Sequence, residues 1–95
     1  MIIELDGTTI KSEADFHKKL TSVLGITEYY GNNLNALWDL LSANAERPLE
    51  LIWKNSKDSR DAMGIPYEQI VNILERAKEQ DEKFGWDERF SYQLL

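Results

Sequence analysis

Three short segments of this chain have the apolar or alternating character of β-strands. Residues 1–5 are mostly apolar and end at an Asp-Gly pair, which is typical of turns. Residues 49–53 follow a proline and have a nearly continuous apolar centre, as in a strand covered on at least one face. Apolar and polar side chains alternate in residues 90–94, so this segment is the third predicted strand.

Between these strands, apolar side chains recur at helical spacing. One helix is predicted to start at Ser12, followed three residues later by Asp15 as in a capping box, and to end at Gly25. Its apolar stripe consists of Phe16, Leu20, Val23 and Leu24. A short polar helix is predicted over residues 55–63, and a longer one starts near Pro66. The apolar side of the longer helix consists of Tyr67, Ile70, Val71, Leu74 and Ala77.

The order of the elements predicts the fold class. With a further helix opened by residues 28–39, the order is strand, helix, helix, strand, helix, helix, strand. Such alternation favours an α/β fold with a small parallel sheet and right-handed crossovers. Ninety-five residues suffice for one core and are too few for two domains, so residues 1–95 are predicted to form one domain. The charged segment 80–88 is expected to be a mobile connection.

The helix opened by residues 28–39 has two different faces. An apolar stripe at helical spacing consists of Leu34, Leu37, Trp38 and Leu41. Burial of each leucine is worth roughly 1.5–3 kcal/mol, which is enough to fix the helix on a sheet. The adjoining face carries Asn35, Asp39 and Ser42, and Trp38 lies on the border between the two faces.

Asp39 is the most distinctive residue of the polar face. Aspartate is a poor helix former, and no cation lies three or four residues away on either side. A lone exposed aspartate on a helix is common and need have no function. Large aromatic rings beside a charge, however, are typical of protein-binding sites, and Tyr29, Tyr30 and Trp38 surround this region. Trp38 fits a core position equally well, whereas at least one of the two tyrosines is expected to face solvent.

The same segment carries a longer motif, Tyr-Tyr-Gly-x-Asn-Leu-x-Ala-Leu-Trp-Asp, which starts at Tyr29 and ends at Asp39. Further residues of the pattern are Glu28, Leu41, Pro48, Leu49, Leu51 and Trp53, with weaker agreement at Asp15, His17, Leu20, Ala77 and Lys78. In these positions the chain resembles the barstar family, the intracellular inhibitors of barnase-like secreted bacterial ribonucleases. The resemblance covers nearly the whole chain apart from the tail after about Gln80.

The resemblance implies both a fold and a mechanism. It implies three parallel strands with about four helices packed against them, and a one-to-one complex with a basic ribonuclease. The family's helix and the loop before it block the nuclease active site, where the carboxylate matching Asp39 takes the place of an RNA phosphate. Residues matching Tyr29 and Trp38 pack beside it. The predicted protein-binding residues are Tyr29, Tyr30, Gly31, Asn33, Leu34, Asn35, Trp38, Asp39, Ser42, Ala43, Asn44, Glu46 and Arg76.

Three of these positions depart from the family pattern. Asn35 replaces an acid, Asn44 replaces a contact tryptophan, and Arg76 replaces an acid on the last helix. The target is therefore expected to be a nuclease with a less basic rim, or one with an acid opposite Arg76. Glu46 is retained and can supply a rim charge, although exposed pairs are usually worth under about 1 kcal/mol.

Charge and composition agree with an acidic protein ligand. The net charge is −6, which argues against nucleic-acid binding and favours attraction to a basic protein. The chain has no cysteine, no apparent signal peptide and no apolar run long enough to span a membrane, so we expect a cytoplasmic protein that binds no membrane.

The pattern does not favour an enzyme, a cofactor or a metal site. The only histidine, His17, has no nucleophilic partner in a recognisable motif and is expected to be structural or merely solvated. Asp58 and Asp61 are spaced like a metal or acid–base pair, but Lys57 and Arg60 between them indicate a solvated face. The alternative function is an acidic interaction module of the same fold that binds a different basic partner and inhibits no nuclease.

Overall fold

The computed structural model describes residues 1–26 and 30–95 of the chain. Within them, one parallel sheet consists of β1 (Ile2–Asp6), β2 (Leu49–Lys54) and β3 (Phe90–Leu94). The central strand is β2, and it pairs in parallel with both neighbours, Leu5 lying opposite Trp53 and Leu51 opposite Tyr92. The predicted three-stranded parallel sheet is therefore confirmed.

The described part of the chain also contains the expected helices. They are α1 (Glu13–Leu24), α2 (Leu34–Asp39), α3 (Ser56–Met63) and α4 (Ile65–Lys83), and α2 continues directly into a π-helical segment, Leu40–Asn44. Both crossovers step in the same direction across the sheet, so right-handed connections place the helices on one face. Burial agrees with this arrangement, because Ile3 and Leu5 are buried whereas Ile2 and Glu4 on the other face are exposed.

The centre of the core is the indole of Trp53, which is fully buried. Its ring centroid lies 5.0 Å from that of Phe16 on α1 and 5.1 Å from that of Tyr67 on α4. The indole N–H donates to the Ser59 hydroxyl at 3.2 Å, and that hydroxyl donates to the Gly7 carbonyl at 3.0 Å. The polar atom of the largest core residue is thus satisfied, so its burial carries no desolvation penalty for an unmade bond.

Helix α1 begins as predicted but buries a different set of residues. The Ser12 hydroxyl accepts the Asp15 N–H at 3.1 Å, while the Asp15 carboxylate accepts the N–H of Lys11, one residue earlier than in a capping box. Val23, predicted in the apolar stripe, is 40% exposed, and His17 is buried instead. The stripe was misplaced because His17 finds polar partners inside the molecule that its position in the sequence does not reveal.

The segment expected to be mobile, residues 80–88, is ordered at its start. Helix α4 continues to Lys83, and the carboxylate of Asp81 is fully buried. Arg47 donates to it from Nε at 2.8 Å and from Nη2 at 3.1 Å, and the Phe90 N–H donates to it at 2.7 Å. This ion pair joins the chain before β2 to α4 and to the start of β3, so the prediction of a mobile connection was wrong for these residues.

Acidification should weaken the fold through Asp81. Burial alone would raise the pKa of this carboxyl, but the Arg47 guanidinium and the Phe90 N–H hold its pKa below the ordinary value. A lowered folded-state pKa stabilises the fold above the unfolded-state pKa of about 3.9, and this contribution is lost as pH falls through the folded-state pKa. We expect the free energy of unfolding in urea to fall below about pH 4 in the parent chain, and less steeply in Asp81→Asn. Equal slopes for the two proteins would show that other carboxyl groups determine the acid sensitivity.

A search of the helices within residues 1–26 and 30–95 finds none with both the length and the apolar composition needed to cross a membrane.

Candidate functional site

Helix α2 begins later than the run of residues 28–39 suggests, because Asn33 is its N-cap. The Asn33 backbone is extended, with φ −142°, and its side-chain oxygen accepts the Ala36 N–H at 2.8 Å. The same side chain donates to the Gly31 carbonyl at 3.2 Å. One asparagine therefore fixes both the loop and the first turn of the helix, a function that N-cap asparagines are well suited to perform.

The two faces of α2 are separated as the periodicity predicts. Leu37 and Leu41 are fully buried, and Leu40, which the stripe did not include, is buried beside them. The border residues Leu34 and Trp38 are half-buried and pack against the core. Leu34 therefore offers only part of its surface to a partner. On the polar face, Asn35 and Asp39 are exposed and Ser42 is half-buried.

The helix that carries Asp39 ends in the π-helical segment Leu40–Asn44, which we call the π-turn. Side chains bind several backbone carbonyls at this end. The Ala45 N–H donates to the Leu40 carbonyl at 2.7 Å, the five-residue spacing of a π-helix. The Arg47 guanidinium donates to the carbonyls of Leu41 and Ala45, and the Asn44 amide donates to the Asp39 carbonyl at 3.2 Å. Carbonyls at the end of a helix have no intrahelical donor, so the Arg47 side chain stabilises the end of the helix that carries Asp39.

The Asp39 carboxylate is exposed, and no cation within the described ranges forms an ion pair with it. It lies at the wall of a cleft of about 790 Å³ between α2 and the loop before it. The lining residues are Ile26, Tyr30, Gly31, Asn33, Asn35, Ala36, Asp39, Leu40 and Asn44. Six of the predicted site residues thus meet around one cavity.

Tyr30, which lines this cleft, is anchored by a partly buried polar network. Its hydroxyl is 2.5 Å from Nδ1 of His17, whose Nε2 is 2.8 Å from the Glu13 carboxylate. The carboxylate can only accept, so Nε2 donates to it, and Nδ1 hydrogen-bonds with the Tyr30 hydroxyl. Burial, together with the nearby Glu13 charge, raises the pKa of Tyr30 well above its usual range. His17 is therefore structural, and it connects α1 to the loop that precedes α2.

Removing the Tyr30 hydroxyl should destabilise the fold. We expect Tyr30→Phe to lower the free energy of unfolding by about 1–3 kcal/mol, because Nδ1 of the buried His17 loses its hydrogen-bond partner. Tyr92→Phe is the matched control, since its hydroxyl binds the half-buried Glu75 carboxylate at 2.8 Å, which water can reach. Urea unfolding of both variants measures the difference, and equal losses would mean that water replaces the hydroxyl at His17.

A second group of predicted residues meets along α4. The guanidinium carbon of Arg76 lies 4.4 Å from the ring centroid of Trp38, in a cation–π contact. One helical turn further on, the Gln80 side chain donates to the Ser42 carbonyl at 3.1 Å. Arg76 is thus not an isolated rim charge, because it covers the exposed side of Trp38. Gln80 was absent from the predicted site, and no local pattern in the sequence indicates its contact.

The remaining predicted residues form no common contact. Ala43 is exposed within the π-turn, and Glu46 is exposed beyond its end. Glu28 and Tyr29 lie outside the described residues, so the prediction for Tyr29 stays a prediction. Among the residues that are described, no three His, Cys, Asp or Glu side chains are grouped so that they could hold a metal ion.

Together the geometry defines a small α/β protein in which a fixed helix exposes a carboxylate that has no ion-pair partner among the described residues. The chain belongs to the Barstar family, described as Barstar (barnase inhibitor), whose model matches residues 1–93. It is also similar to the protein named "Putative ribonuclease inhibitor YrdF" of Bacillus subtilis (strain 168). The two are 32% identical over 78 residues, which cover 82% of this chain and 86% of that protein.

Proposed function

We propose that this chain is a cytoplasmic, stoichiometric inhibitor of a secreted bacterial ribonuclease, which it blocks in a one-to-one complex. The observation that carries the proposal is the exposed Asp39 carboxylate, which has no ion-pair partner in the described structure and stands on a fixed helix of a Barstar-family chain. In this function Asp39 occupies the position of an RNA phosphate in the nuclease active site.

The chemistry of a ribonuclease active site favours such a ligand. The site must hold cationic side chains to bind phosphate, and carboxylates pair well with the same donors. Two unit charges 4 Å apart attract by about 4 kcal/mol at an effective dielectric constant of 20, against about 1 kcal/mol in bulk water. Tyr30, which lines the same cleft as Asp39, and Trp38, the residue before Asp39, are half-buried and would help to exclude water from the complex. The cleft beside Asp39 offers space for a side chain of the nuclease.

The helix is held in place before the partner arrives. Asn33 fixes its first turn, three buried leucines fix its inner face, and Arg47 binds the carbonyls at its end. A pre-ordered binding element loses less conformational entropy on association, so more of the interaction energy appears as affinity.

The departures from the family pattern bear on which nuclease is bound. Asn35 and Asn44 are exposed on the cleft, where they offer amides instead of an acid and a tryptophan. Arg76 adds a positive charge beside Trp38. A strongly basic rim opposite these residues would gain less than in the family pattern. A target with a less basic rim, or with an acid opposite Arg76, fits this surface better.

Titration against ribonucleases tests the proposal. Purified protein is added to a panel that contains barnase and other small basic secreted ribonucleases, and RNA cleavage is followed. Loss of activity with an endpoint at one inhibitor per enzyme supports the function. If the chain binds a panel member without inhibiting it, or inhibits none, the proposal fails and an acidic interaction module of the same fold is the better description.

Association with the ribonuclease should depend on salt. The chain carries a net charge of −6, and complementary charges raise association rates by roughly 10-fold or more at low ionic strength. We expect increasing salt to slow association much more than it changes dissociation, as measured by stopped-flow fluorescence. Glu46→Gln, which removes one exposed charge near the site, should reduce this dependence slightly. An association rate that is indifferent to salt would exclude electrostatic steering.

A further inference from the structure

Two large aromatic side chains remain exposed just after α4. Phe84 is 60% exposed and Trp86 is 42% exposed, and their ring centroids lie 5.4 Å apart with planes inclined by 38°. Neither ring is among the side chains that form or pack against the hydrophobic core. Adjacent exposed aromatic rings of this kind are typical of residues that bind another protein.

The aromatic pair is continuous with the candidate site. Arg76, Gln80 and Phe84 are spaced four residues apart and therefore lie in one row along α4. Arg76 contacts Trp38 of α2, and Gln80 contacts the Ser42 carbonyl of the π-turn. The Phe84 N–H donates to the Gln80 carbonyl at 3.0 Å, so the helical register and this row of residues extend to Phe84.

Trp86 connects to the same region through Arg47. The guanidinium carbon of Arg47 lies 5.8 Å from the Trp86 ring centroid, and the same guanidinium binds the Leu41 carbonyl of the π-turn. The ion pair of Arg47 with Asp81 holds both segments together. Through Arg47, Trp86 is thus connected to the π-turn that follows α2, and the aromatic pair lies near the candidate site.

The exposed charges around the pair carry a small excess of acid. Residues 79–89 contain five acids, Lys83 and Arg89, whose guanidinium donates to the Trp86 carbonyl. One of these acids, Asp81, is neutralised by Arg47, and Glu82 is paired with Lys78 at 3.4 Å, which leaves Glu79, Asp87 and Glu88 without an ion pair in the described structure. Aromatic faces beside free carboxylates are a favourable environment for a guanidinium or ammonium group.

We propose that Phe84 and Trp86 form a second anchor for the same basic ribonuclease, contacting arginine or lysine side chains on the rim of its active site. This inference rests on the proposed function. It extends the surface that binds the ribonuclease by one turn of α4. In the family pattern a contact tryptophan stands at the position of Asn44, so this chain lacks that aromatic ring. The Phe84–Trp86 pair offers aromatic rings from the end of α4 instead.

Single substitutions test the anchor against a ribonuclease that the parent chain inhibits. Phe84→Ala and Trp86→Ala are each expected to raise the Kd roughly 10–100-fold, mainly through faster dissociation. Ile65→Ala is the matched control, since Ile65 is 69% exposed at the opposite end of α4 and should leave the Kd within about twofold. Because Trp86 touches Arg47, unfolding curves accompany every variant, and Trp86→Phe, which keeps an aromatic face, should recover most of the affinity.

The outcomes separate this inference from the proposed function. If Asp39→Ala abolishes inhibition while Phe84→Ala and Trp86→Ala bind like the parent, the second anchor is wrong and the inhibitor function stands. If the parent chain binds none of the ribonucleases, both fail. If sedimentation shows that the parent self-associates and Phe84→Ala restores the monomer, the pair is an interface between two copies and the second anchor is again wrong.

Discussion

Replacing Asp39 with alanine is expected to weaken the complex with the target ribonuclease by about 2–5 kcal/mol or more. This magnitude is an expectation for the family, because complexes of barnase with barstar are among those from which it is known. The loss is large because the substitution leaves cations of the nuclease buried without their partner. Stability should remain unchanged or rise slightly, since alanine is the better helix former by up to roughly 0.7 kcal/mol and Asp39 has no ion pair in the described structure to lose.

Glu46→Ala is the matched control for Asp39→Ala, because Glu46 is another exposed acid beyond the same helix. Its loss should cost under about 1 kcal/mol of binding free energy, as for an exposed rim charge. Titration calorimetry measures the affinities and urea unfolding measures the stabilities. A clear fall in the unfolding midpoint of Asp39→Ala would identify Asp39 as a structural residue. Equal effects of the two substitutions on the binding free energy would show that Asp39 is not the main contact with the ribonuclease.

Much of the fold follows from local pattern. The three strands lie within one or two residues of their predicted bounds, and the leucines at helical spacing in α2 are buried or half-buried as expected. Periodicity reports which side of an element is apolar, and this suffices to predict that one side of α2 is buried in the core while Asp39 faces outward. Periodicity cannot predict the π-turn, because the wider turn is stabilised by Arg47 from outside the helix.

The parts of the site that were missed depend on contacts between distant residues. His17 reaches Tyr30, thirteen residues away, and its burial follows from that contact. The Glu13–His17 pair at four-residue spacing was a local signal that could have indicated a hydrogen-bonded histidine. The stacking of Arg76 on Trp38 had no such signal, because the two residues lie on different helices. The concave form of the site likewise depends on Ile26, Tyr30 and Gly31, which precede α2 and line the cleft with it.

The second large effect is expected at Asp81, where alanine should destabilise the fold by about 3–5 kcal/mol, because it leaves a buried charge without its partner. The Arg47 side chain is only 11% exposed, and the Phe90 N–H would lose its acceptor as well. Lys78→Ala is the matched control, since it breaks the exposed Lys78–Glu82 pair on the same helix and should cost under about 0.5 kcal/mol.

A double substitution separates the value of the ion pair from the cost of breaking it. Replacing Arg47 with methionine and Asp81 with leucine removes both charges, so the loss of stability should be clearly smaller than the sum of the two single losses. The carbonyls of Leu41 and Ala45 would still lose their donor, and we therefore expect the double variant to dissociate faster from the ribonuclease even where it is well folded. If it is stable and dissociates at the parent rate, Arg47 stabilises the fold without positioning the helix that carries Asp39. If the double loss equals the sum, each residue acts independently and the buried pair is not a unit.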